Sequence, residues 1–67
     1  MYILIAINKN SLEVDAIAKT SSNNKAKRLL WDTVKLEQGY SDRHKQAIQE
    51  QEYADSQDYR YEILEVQ

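Results

Sequence analysis

The run Ser22-Asn23-Asn24-Lys25-Ala26-Lys27-Arg28-Leu29-Leu30-Trp31-Asp32-Thr33-Val34-Lys35-Leu36-Glu37-Gln38 decides how this chain folds. Ala26, Leu29, Leu30, Val34 and Leu36 follow the i, i+3, i+4, i+7 recurrence of an amphipathic helix, so the segment should lay one apolar stripe on a sheet. Thr20-Ser21-Ser22 supplies hydroxyls for an N-cap, and Gly39 stands where a left-handed residue closes such a helix. Trp31 falls off the stripe. At about 100° per residue it lies roughly 140° from Ala26, beside Lys27 and Arg28 one turn before it and Lys35 one turn after. A tryptophan among cations is either covered by another part of the fold or held out for a partner, and tryptophan is usually largely buried.

On the N-terminal side, Met1 to Ile7 is a continuous apolar run, the pattern of a strand inside a sheet. Asn8-Lys9-Asn10 provides turn residues that tolerate left-handed backbone. Leu12, Val14, Ala16 and Ala18 then alternate with Glu13, Asp15, Ile17 and Lys19 as a half-buried second strand. On the C-terminal side, Ser41 can cap a second, more polar helix from Asp42 to about Ala54. Tyr59 to Val66 resumes alternation, with Tyr59, Tyr61 and Ile63 on one face and Arg60, Glu62, Leu64 and Val66 on the other. The expected fold is α+β: a three-stranded sheet in the order 2-1-3, arranged ββααβ, with two helices, one of them packed on the sheet. The last strand runs parallel to the first if the second helix lies antiparallel to the first helix, and antiparallel if it lies crosswise. Helices on one side leave Leu64, Val66 and Ile17 facing out, a surface suited to a partner or a self-dimer.

Sixty-seven residues make a single domain, 1–67, with a thin core. No cysteine and only one histidine are present, so neither disulfide nor metal can staple the fold, and a homodimer becomes a third route to stability. With no proline and one glycine, nothing reads as a linker or repeat. The net charge of −2 is divided unevenly: residues 1–35 hold six Lys/Arg against three acids, and residues 36–67 hold three against eight. Met1 leads straight into the first strand without a basic leader, and that run is too short to span a bilayer. A cytoplasmic protein with a native start and no membrane partner is expected.

His44 is the only side chain with an unperturbed pKa near neutrality, but on a helix Asp42 and His44 diverge by about 200°. It reads as a first-turn histidine. No second histidine, cysteine or glycine-rich phosphate loop accompanies it, so no catalytic, cofactor or metal site is expected and the chain should not be an enzyme. Glu50, Glu52, Asp55 and Asp58 read as a solvated helix end rather than as phosphate mimics. Trp31, Arg28, Lys27, Lys35 and Asn24 form the candidate interaction face, with Tyr53 and Arg43 of the second helix as a neighbouring one. A nucleic-acid strand is the second choice of partner for the basic Trp31 face, since a pI near 5 disfavours a dedicated binder.

A short cysteine-free chain that opens with a strand and a hairpin, lays one helix beginning Ser22-x-x-x-Ala26-x-Arg28 on the sheet and ends in a strand resembles the small bacteriophage inhibitors of host defence, notably anti-CRISPR proteins. The resemblance implies a non-enzymatic protein that modulates a larger bacterial protein or ribonucleoprotein complex by stoichiometric contact. Burial of the Trp31 indole would move the interface to the sheet face and the acidic second half.

Overall fold

The apolar run after Met1 forms β1 (Tyr2–Asn8), an inner strand paired on both edges, as its hydrophobicity on both faces requires. In the computed structural model, which describes residues 1–37 and 39–67, β1 pairs antiparallel with β2 (Val14–Thr20) and antiparallel with β4 (Tyr59–Glu65). Between the hairpin and β4 come α1 (Asn23–Val34), a 3₁₀ turn (Asp42–His44), α2 (Lys45–Gln51) and β3 (Tyr53–Asp55). β3 pairs antiparallel with β4, and the sheet has four strands in the order β2-β1-β4-β3.

The fold is α+β with two helices, as expected, but the layout gains a strand. Glu52 ends α2 in the left-handed region at φ 62°, a position with no glycine to announce it. The helix therefore ends at Gln51, three residues before the expected end at Ala54, and Tyr53 belongs to a strand rather than to the second helix. That extra reversal is why the last strand runs antiparallel to the first. The three-strand ββααβ reading is corrected accordingly.

The first hairpin is also longer than Asn8-Lys9-Asn10. Asn8 Oδ1 accepts from the amides of Asn10 at 2.9 Å and Ser11 at 3.1 Å, and Leu12 turns the chain at φ 63° before β2 begins. A bulge follows, because Leu4 faces Ala18 while the adjacent Ile5 faces Ala16. Ile17 is the extra residue, and it reverses the alternation of β2 partway along. Ala18 lies beside Leu4 on the helix-covered face, whereas Ala16 and Val14 share the other face with Ile5 and Ile7.

Ser22 caps α1, its Oγ accepting from the Lys25 amide at 3.3 Å. The helix stops at Val34, with Lys35 as its C-cap, so Leu36 lies outside it and is 87% exposed. Gly39, at φ 97°, turns the following loop instead of closing the helix. Gln38, where the helical pattern was expected to end, lies outside the described residues.

Without Leu36 the apolar stripe rotates. Its buried line is Ala26, Leu30 and Val34, and Trp31 joins it from the flank at 6% exposed. Trp31 belongs to one cluster with Leu4, Ala6, Leu30, Val34, Ile48, Ala54 and Tyr61. Of the two alternatives the sequence left open for the indole, the covered one holds: α2 contributes Ile48 to that cluster and covers the flank. Tyr40 packs against the cluster too, and its hydroxyl donates to the Asp55 carbonyl, tying the loop after α1 to β3.

Trp31→Ala is expected to destabilise by about 3–5 kcal/mol through the cavity it leaves. A chain of this length holds only about 3–10 kcal/mol in all, so far-UV circular dichroism during urea titration should show the cooperative transition shifted far down or lost.

Burial raises the phenol pKa values of Tyr61 and Tyr40 above their ordinary value, with nearby Glu37 and Asp55 adding to the effect. The folded state therefore holds these protons more tightly than the unfolded chain. Their contribution is complete below the unfolded tyrosine value and is lost as pH rises past it. The midpoint in urea should fall above about pH 10, and less steeply in Tyr61→Phe.

Candidate protein-binding surfaces

The residues proposed from sequence separate into five places. Trp31 is in the core. Lys35, at the C-terminal end of α1, holds Asp32 at 3.1 Å on the exposed side. Arg43 is exposed in the 3₁₀ turn, and Tyr53 lies on the sheet with the Arg60 guanidinium 4.4 Å over its ring. The expected single face built on the indole does not exist. Base stacking on Trp31 goes with it, which removes the aromatic platform from the nucleic-acid alternative.

Asn24, Lys27 and Arg28 stay together. They stand at i, i+3 and i+4 on α1 and form one wall of a cleft of about 470 Å³; Gln46, Gln49 and Glu50, at the same spacing on α2, form the other. The cleft follows from the packing that buries Trp31. Once Ile48 and Trp31 share a core, the next polar rows of the two helices lie side by side. Lys27 is anchored to Glu52 at 3.7 Å, and Gln46 donates to Glu50 at 3.1 Å. Arg28 is exposed and pairs with no carboxylate among the described residues. Three carboxamides beside a free guanidinium and one carboxylate can exchange hydrogen bonds with peptide groups and clamp an acidic side chain. The α2 half of this wall was missed in the sequence, although its i, i+3, i+4 spacing was legible there.

The second surface is the sheet face that the helices leave open. Cross-strand pairing sets Val14, Ile7 and Arg60 in one row, Ala16, Ile5, Glu62 and Tyr53 in the next, and Lys19, Ile3 and Leu64 in the third. Val14 is 57% exposed, Ile17 45%, Leu64 44% and Val66 41%, so the β2–β1 side and the end of β4 form an apolar area. The β4–β3 side is polar and already paired: Asp55 meets Lys9 at 3.3 Å and Arg60 at 2.9 Å, and Arg60 meets Glu62 at 3.5 Å.

His44 sits at the start of the second helical segment, where its Nδ1 accepts from the Ser41 amide at 3.1 Å and its ring meets Tyr40 edge-on. Its geometry is that of a cap. Among the described residues no helix is long and apolar enough to cross a membrane. The class these observations define is a two-layer α+β domain with a polar helical cleft on one side and an apolar sheet face on the other. No protein family, curated protein or solved structure matches this chain.

Arg28 carries no packing role in this arrangement. Arg28→Glu should leave the unfolding free energy from urea titration within about 0.5 kcal/mol of the parent, and Lys27→Ala should cost less than about 1 kcal/mol, since its partly exposed ion pair is screened.

Proposed function

We propose that this protein is a non-enzymatic, stoichiometric binder of a larger bacterial protein or ribonucleoprotein complex, acting as the small phage inhibitors of host defence do. The observation that carries the reading is the cleft: two helices each bring an i, i+3, i+4 row of polar side chains to one concave surface, and Arg28 stands there with no carboxylate partner among the described residues. The partner element it suits is an acidic loop or helix end. A carboxylate takes the Arg28 guanidinium in a two-bond grip, while Asn24, Gln46 and Gln49 meet the adjacent peptide groups.

The reading keeps Asn24, Lys27 and Arg28 from the sequence-based face and replaces Trp31 with α2. Lys35, Arg43 and Tyr53 have no part in it.

The test is paired capture from a bacterial lysate with the parent protein and the Arg28→Glu, Gln49→Ala double variant, followed by titration of the purified partner. A one-to-one complex weakened at least about tenfold, or about 1.4 kcal/mol, by the double variant supports the reading. A purified partner that binds both proteins equally well refutes the cleft as its site.

A further inference from the structure

We propose that the open face of the sheet is a homodimer interface, on which a second copy of this chain packs sheet to sheet.

The face has the size and shape for it. The molecule extends 33 × 29 × 16 Å, so its broad side can supply the roughly 800 Å² that each partner contributes to a standard interface. Strand-to-strand addition is a poor alternative. The Ile17 bulge interrupts β2 in mid-strand and Lys19 stands near its end, two devices that blunt an edge against pairing, and the other edge, β3, is three residues long. Association is thereby directed to the face.

Charge selects the same occupant. A docking surface meant for an oppositely charged partner keeps a net field, but the polar half of this face cancels its own. Lys9 and Arg60 are matched by Asp55 and Glu62 through contacts of 2.9 to 3.5 Å. An identical neutral surface meets no repulsion there, and the apolar half needs an apolar counterpart that the same surface supplies. Packed sheet to sheet, the exposed Val14, Ile17, Leu64 and Val66 of the two copies cover one another around Ile5, itself only 9% exposed. The layers then interdigitate as in an aligned sandwich, about 10 Å apart. The resulting order is helix, sheet, sheet, helix.

Such a dimer turns its two α1/α2 clefts outward on opposite sides, so one particle offers two partner sites. That bivalence rests on the function proposed above; the dimer does not.

Sedimentation velocity across concentrations from about 1 μM to 1 mM tests it, a range that covers interfaces of modest affinity. The expected result is a reversible transition from the 7.9 kDa chain to twice that mass. Leu64→Lys and Val14→Lys should each raise the dissociation constant at least about tenfold, as charges placed in an apolar contact do. Leu64→Thr and Val14→Thr place a β-branched, strand-compatible side chain at each position and should weaken the dimer with the fold intact, as circular dichroism can verify. Arg28→Glu should leave dimerisation unchanged, which separates this interface from the cleft. A chain that stays at 7.9 kDa throughout overturns the proposal, as does a dimer indifferent to all four face variants. A monomer whose captured partner is released by Leu64→Lys overturns it as well, because the face then belongs to that partner.

Discussion

Everything in this fold depends on α1 being buried on two sides. Its Leu30 and Val34 lie in the core with Leu4 of β1 and Tyr61 of β4, with Ala26 buried on the same line, while Trp31 on its flank shares that core with Ile48 of α2. A seven-residue helix has little stability of its own, since helices below about a dozen residues are marginal in water. The indole gives α2 its reason to stay folded. Where α2 is held, the Glu52 turn and β3 follow, and β3 supplies the backbone acceptor for Tyr40 and the carboxylate for Lys9 and Arg60.

The order of the three long strands was legible, though not the short β3, because its signals are local and periodic. The run Tyr2–Asn8 is apolar on both faces and is central; Tyr59–Glu65 alternates, with Tyr61 inward and Leu64 outward; and the Ser22 hydroxyl caps the helix it precedes. The losses came where a residue acted against its type. Glu52 and Leu12 adopt left-handed backbone without being glycine or asparagine, and no sequence signal marks either turn. The Ile17 bulge has no signature in an alternating run. The sequence leaves Trp31 open between cover and exposure because it stands about 60° beyond Val34 around the helix, outside the apolar arc, and what covers it is Ile48 of α2, a tertiary neighbour.

The candidate site was legible in half. Asn24, Lys27 and Arg28 form a row on one helix and need only one helix to be recognised. Their counterpart, Gln46, Gln49 and Glu50, becomes meaningful once α2 is known to lie alongside, which is a tertiary fact. The sequence places Lys35 on the same face and Arg43 and Tyr53 on a neighbouring one, and packing disperses all three. The two surfaces that remain differ in chemistry: a cleft of amides and charge on the helical side, and aliphatic side chains beside a self-neutralised ionic strip on the sheet side.

The extra residue at Ile17 has an evolutionary consequence. In a regular antiparallel strand the loss or gain of one residue turns every later side chain over, and β2 carries one such step within it, compensated by the register of its partner. Deleting Ile17 would give a straight, evenly alternating outer strand, a ready template for the β-strands of other molecules. Related chains should therefore vary in length at the Lys9–Glu13 loop and keep a constant number of residues between Val14 and the start of α1.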